Sequence, residues 1–260
     1  MDVPATTIRG EETADGVTVT DLVFDGGEIG ETEAYLVAPT AGGSGPAVLW
    51  FHWLEGGAPT SNRTEFLDEA RGLARRGVNS LLVQGVLPWL ERPSSVAHDR
   101  TLIEREVAML QRSVELLLAR PGVDPARLAA VGHDFGGMYE TLLFGTDRRI
   151  GWLVLMTPTA RWADWFTVYW RLEDPADAYA AALAPLDPVR WLPLADGRPI
   201  LLQFAAHDEY VPPEVAAEIT AAAGPSADVR TYDAGHELDA AARSDREHWL
   251  AERLGLEVPA

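Results

Sequence analysis

Three side chains far apart in the sequence have the types and the order needed for hydrolytic chemistry: Asp134, Asp208 and His236. Asp134 is the centre of Val131-Gly132-His133-Asp134-Phe135-Gly136-Gly137, between a short apolar run and a helix-forming stretch. A Gly-x-nucleophile-x-Gly turn at such a junction strains the backbone at its centre and lifts that side chain above the sheet edge. The N–H of the next residue, Phe135, then faces the same point as half of an oxyanion hole. Trp53 or Leu54, after an earlier strand, supplies the other half. Asp208 closes an apolar run and His236 follows another, so both fall where strands pass into loops. Elbow, acid, histidine is a triad order. A carboxylate, with a reference pKa of about 3.9, is ionised at neutral pH without help from a base. Asp134 is therefore expected to attack an electrophilic carbon and form a covalent ester. His236, oriented by Asp208, then activates the water that hydrolyses it. The favoured electrophile is the saturated carbon of an epoxide or halide, because attack on an ordinary ester gives a mixed anhydride, which is uphill.

These residues need elements to position them. Residues 16–24 and 33–39 alternate apolar and polar and read as an antiparallel hairpin. Residues 47–53, 78–83, 127–131, 150–156 and 199–205 are nearly continuous apolar runs, as in strands buried on both faces. A last short strand covers 229–232. Amphipathic helices are expected at about 64–76, 98–120, 138–144, 213–223 and 238–254, several ended by Gly or Pro. Residues 85–95 contain Pro88 and Pro93 and read as an irregular loop. The alternation predicts an α/β fold, a mostly parallel eight-stranded sheet with helices on both faces. Residues 1–260 form a single domain in this reading. The stretch at about 157–198 is too long for an ordinary crossover and is rich in aromatic residues, so it reads as a short helical cap.

Composition excludes several classes. The chain has 260 residues, a net charge of −19 and no Cys, and all 21 of its basic residues are Arg. A Cys nucleophile, a Cys-ligated metal, a disulfide framework and Lys Schiff-base chemistry are absent. The acidic balance argues against nucleic acid or an anionic membrane as partner. No apolar run approaches the length of a membrane span. Met1-Asp2-Val3-Pro4 shows no secretory pattern, so a cytoplasmic location is expected. No cofactor or metal is called for. The expected partner is a small-molecule substrate, with a homodimer open.

The expected substrate pocket gathers His52 and Glu55 after the third strand, His133 in the elbow, Trp162, Trp165, Phe166 and Tyr169 in the cap, and Tyr210 after Asp208. Singly, each aromatic residue is more often packing than catalysis. As a group they favour an apolar or aromatic substrate. His52 and His133 also read as supports of their loops, and Glu55 as a solvated loop residue.

The chain resembles an α/β-hydrolase of the dienelactone hydrolase-like branch. The resemblance runs through the Phe51-His52-Trp53 segment, the stretches LDPVRWLP and LLQFAAHDEYVP, and the tail DREHWLAERLGL. Most members of that branch carry Ser or Cys at the elbow. Here the residue is Asp134, and GHDFGG is similar to the GHDWGG elbow of soluble epoxide hydrolases and haloalkane dehalogenases. The resemblance implies a cofactor-independent hydrolase with an Asp-His-Asp triad. Ester or lactone hydrolysis of the dienelactone hydrolase type is the alternative. A non-hydrolytic lyase, isomerase or cyclase, or a ligand-binding pseudo-hydrolase, would keep the same scaffold without a covalent ester.

Overall fold

A computed structural model of the chain describes residues 2–86, 95–169 and 176–256, without the side chains of 166–169. Its centre is a nine-stranded sheet: β1 (Thr6–Ala14), β2 (Val17–Asp25), β3 (Glu31–Pro39), β4 (Gly45–Phe51), β5 (Asn79–Val83), β6 (Val123–His133), β7 (Ile150–Met156), β8 (Ile200–Ala205) and β9 (Ala227–Tyr232). Their spatial order is β1-β2-β3-β5-β4-β6-β7-β8-β9. The first three strands are antiparallel and β3 joins β5 antiparallel; from β5 to β9 every pair is parallel. The α/β class and the hairpin of residues 16–24 and 33–39 are thus as expected, with one strand more than the eight read from the sequence. The added strand is β1. All nine of its residues are exposed, so it has no apolar face for a pattern to reveal.

Helices α1 (Leu67–Ala74) and α8 (Ala240–Arg253) cover one face of the sheet. Helices α2 (Val96–Leu118), α3 (Phe135–Thr146) and α7 (Pro213–Ala223) cover the other. The near-continuous apolar strands follow from this double cover. On β4, Ala47, Leu49 and Phe51 enter one core while Val48 and Trp50 enter the other. Between β7 and β8 run α4 (Trp162–Tyr169), α5 (Ala176–Leu183) and α6 (Pro188–Trp191). This segment is tied down by the Tyr179 hydroxyl, which donates to Asp99 at 2.7 Å, and by the Trp162 indole, which donates to the Leu186 carbonyl at 2.8 Å. Among the described residues, no helix is long and apolar enough to cross a membrane. Much of the irregular loop expected at 85–95 lies outside the described residues.

The connection order creates the site's location. From β4 the chain moves to β5 on one side, then returns to β6 on the other side of β4. The loops leaving β4 and β6 therefore diverge, and a crevice opens at the carboxyl ends of the strands, where such sheets bind ligands.

Helix α3, which leaves the elbow, carries a group outside that crevice. Glu140 is fully buried and neither carboxyl oxygen has a hydrogen-bond partner among the described residues. Burial pushes its pKa well above the usual carboxylate value, so it is protonated in the fold. The folded state keeps a proton that the unfolded chain releases above about pH 4.5. Stability is therefore lost as pH rises, by about 1.4 kcal/mol per unit, until the folded carboxyl itself ionises. Glu140→Gln removes this term. Denaturant unfolding at pH 5 and pH 8 is expected to show the variant gaining on the parent as pH rises; parallel curves would refute the protonated assignment.

Candidate active site

The elbow is built by close backbone approach. Asp134 has φ 54° and ψ −119°, a strained combination for a residue with a side chain. Its N–H donates to the Met156 carbonyl at 2.8 Å, and its carbonyl accepts from the Met138 N–H at 3.1 Å. The flanking glycines leave room for nothing larger. A Cβ on Gly132 would lie 2.4 Å from the Gly136 carbonyl oxygen, and one on Gly136 would lie 2.2 Å from that of Phe51.

Asp134 is 1% exposed. Its Oδ2 accepts the Leu54 N–H at 3.1 Å, and the Phe135 N–H also bonds the carboxylate. Burial pushes its pKa up to about 7, against the opposing charge of His236 and those two N–H groups. Its Oδ1 faces His236 Nε2 across 3.9 Å, and both atoms are buried without a hydrogen-bond partner among the described residues.

His236 is oriented from behind. Its Nδ1 lies 2.9 and 3.0 Å from the two oxygens of Asp208. Asp208 Oδ1 also accepts the N–H groups of Tyr210 and Val211 at 2.9 and 3.0 Å. Burial opposes ionisation of Asp208, but the His236 hydrogen bond and charge with these N–H groups outweigh it and hold the carboxyl below its ordinary value. An ionised Asp208 makes Nδ1 the donor, so in the neutral imidazole Nε2 is the atom whose lone pair faces Asp134.

The other expected residues separate into distinct roles. Trp165 lies 5.2 Å from the Phe135 ring, 5.6 Å from Tyr210 and 6.0 Å from His236. Tyr210 meets the His236 ring edge-on at 4.9 Å, and its hydroxyl donates to Glu55 at 3.3 Å. Trp165 and Tyr210 thus stand beside the histidine. Trp162 is fully buried and packs on Tyr139 at 4.8 Å, so it serves the core instead. His52 ties two loops: its Nδ1 donates to the Trp53 carbonyl at 2.7 Å, and its Nε2 accepts the Gly85 N–H at 3.0 Å. Burial lowers its pKa to about 4, which keeps it neutral in that role. The side chains of Phe166 and Tyr169 lie outside the described residues. Of the two expected backbone donors, the Trp53 N–H is taken by Glu65 Oε2 at 2.7 Å, and the Leu54 N–H is the one that reaches Asp134.

Glu65 is the site residue that the sequence did not reveal. It is twelve positions from Trp53, in a turn before α1, and resembles any charged residue at the start of a helix. In the fold its Oε1 meets His133 Nδ1 at 2.6 Å. Burial raises the Glu65 carboxyl to about 8, opposed by the Trp53 N–H and by the charges of Arg246 and His236. Burial also lowers His133 to about 3. Among the described residues, no cluster of three or more acidic or imidazole side chains has an arrangement fit for a metal ion.

No family model matches the chain, and no curated protein matches it in sequence. Solved structures do match its fold. An acetyl xylan esterase from Paenibacillus sp. R4 superposes with a TM-score of 0.73 at 17% identity, over 96% of this chain and 88% of that one. A 2,6-dihydroxy-pseudo-oxynicotine hydrolase gives 0.68 at 16%, over 91% and 67%. A Klebsiella pneumoniae subsp. pneumoniae protein assigned as a dienelactone hydrolase gives 0.64 at 17%, over 96% and 99%.

The elbow contacts carry a stability prediction. Gly136→Ala is expected to cost about 3 kcal/mol or more, because the methyl group meets fixed backbone. That corresponds to a melting temperature lower by roughly 10 °C. Gly151→Ala is the control: its nearest contact would be an ordinary 3.7 Å. Equal thermal shifts in the two variants would contradict the close-approach argument.

Proposed function

Starting from an α/β-hydrolase fold shared with esterases, we propose that this chain hydrolyses a carboxylic ester or lactone, as a dienelactone hydrolase does, with water in place of a side-chain hydroxyl. The observation that carries this reading is the buried 3.9 Å gap between His236 Nε2 and Asp134 Oδ1. A water oxygen about 2.8 Å from each atom fits that separation.

Neutral His236 takes the proton of this water at Nε2 as the water oxygen adds to the substrate's carbonyl carbon. Asp208 steadies the resulting imidazolium through Nδ1–H. Burial raises the Asp134 pKa to about 7, so the carboxyl has access to its protonated form near neutral pH, with Oδ1 as the oxygen left for the proton. Held at Oδ2 by the Leu54 N–H, it donates from Oδ1 to the carbonyl oxygen as that becomes an oxyanion. A neutral carboxyl donor in an apolar site is a known means of stabilising such charge. The intermediate then breaks its bond to the leaving oxygen, which takes the proton back from His236. An ester yields an acid and an alcohol; a lactone yields one hydroxy acid.

A second reading is favoured by the contact from the Leu54 N–H to Asp134 Oδ2. In that reading Asp134 is the covalent nucleophile toward an epoxide or haloalkane. The same N–H steadies the oxyanion when the alkyl ester is hydrolysed.

Asp134→Asn separates the two, because the amide keeps a donor where the protonated carboxyl has one. In the ester reading it retains turnover of p-nitrophenyl acetate within about tenfold, and His236→Gln loses roughly 100-fold or more. The parent rate falls as pH rises through about 7, where Asp134 loses its proton, and that limb is missing in Asp134→Asn. Loss of all turnover in Asp134→Asn, with a mass adduct on Asp134 in His236→Gln after exposure to an epoxide or haloalkane, would replace the ester reading with the covalent one.

A further inference from the structure

Glu65 and His133 make none of the proton transfers above, yet they bridge both halves of the machinery. Glu65 Oε2 accepts the Trp53 N–H, and Oε1 lies 2.6 Å from His133 Nδ1. His133 Nε2 lies 3.2 Å from the backbone carbonyl oxygen of His236. That oxygen can only accept, so Nε2 carries a hydrogen. In a neutral imidazole Nδ1 is then an acceptor, and the short contact needs a proton from the Glu65 carboxyl. In the ionic form the same proton sits on Nδ1. Either way one proton lies between Nδ1 and Oε1.

We propose that Glu65 and His133 are positioning residues: joined through a shared proton, they set the Leu54 N–H donor by way of Trp53 on one side and the His236 loop on the other. The kinetic consequence rests on the hydrolase reading above; the geometry does not. With its N–H pinned by Glu65, Trp53 stacks its indole on the His133 ring at 5.0 Å and 5°. The next peptide then aims the Leu54 N–H at Asp134. Across the site, His133 Nε2–H and the Thr157 hydroxyl both hold the His236 carbonyl. This fixes the loop that sets the 3.9 Å gap.

Loss of the shared proton breaks one arm. A Glu65 carboxylate retains the remaining hydrogen of His133 on Nδ1, so Nε2 turns a lone pair toward the His236 carbonyl. The two then repel. The charged and titratable groups facing the pair are Arg246 from α8, Glu69 from α1, Asp208, Asp134 and His236. Arg246 is engaged by Glu69 at 2.8 Å. A cavity of about 350 Å³, lined by Glu65, His133, Thr60 and Arg246 among others, adjoins the pair.

Two substitutions of one residue test this. Glu65→Gln keeps both hydrogen bonds, because the amide N–H donates to Nδ1 and its oxygen accepts from Trp53. Glu65→Ala removes both. With p-nitrophenyl acetate at pH 7, Glu65→Gln is expected to keep kcat within about threefold. Glu65→Ala is expected to lose about 100-fold in kcat with little change in KM, the scale of a small misplacement of reacting groups. Without any substrate, nitrogen NMR of the full chain is expected to show His133 protonated at Nε2 at pH 7. Raising the pH to about 9.5 shifts the proton to Nδ1 in the parent and not in Glu65→Gln, since the parent carboxyl titrates at about 8. An undiminished Glu65→Ala, a Glu65→Gln as impaired as Glu65→Ala, or a His133 protonated at Nδ1 at pH 7 would overturn the proposal. If no form turns over the ester, the hydrolase reading fails while the NMR result still decides the pair.

Discussion

A carboxyl group removed from water must be protonated, paired or held by hydrogen-bond donors, and the neighbourhood of Asp134 is organised by that requirement. At 1% exposure it receives the N–H groups of Leu54 and Phe135 and faces one imidazole. Each of these comes from a different part of the fold: the loop after β4, the first turn of α3, and the loop after β9. Their convergence depends on β4 and β6 being neighbours and on the glycines that let α3 press against β4.

The supporting layer follows the same logic at one remove. His236 is held from behind by Asp208, and Asp208 by two backbone N–H groups of its own loop. The His236 carbonyl is held by His133 and Thr157. Glu65 closes the circuit back to the loop after β4. The aromatic rings of Trp53, Trp165 and Tyr210 pack around the imidazole, and their low polarity strengthens the charge interactions inside. The same low polarity raises the carboxyls of Asp134 and Glu65. Buried acids are thus the common feature of this centre, in a chain that also buries Glu106 and Glu140 on α2 and α3.

Much of this was readable from residue order alone. Continuous apolar runs in β4 to β8 announced strands covered on both faces. The glycines around Asp134 announced the turn. Asp208 and His236 were picked out by their places at strand ends. The pattern was silent where no apolar face exists, as in β1, whose nine residues are all exposed. It also overextended the first helix, expected at 64–76 but formed only at Leu67–Ala74, because residues before it are drawn into side-chain-to-backbone turns such as the Thr64 N–H to Asn62.

By itself the sequence determined the α/β class, the element order, the strained elbow and the acid and histidine that follow it. These are local properties: periodicity, glycine spacing and position along the chain. The tertiary structure decided which N–H groups reach Asp134, that Trp53 gives its own to Glu65, and that Glu65 and His133 share a proton. It also set the protonation of the buried acids, since desolvation is a property of the surroundings and not of the residue. Such contacts join residues from 12 to more than 100 positions apart. No linear pattern records them, because they exist only once the sheet has brought the strand ends together.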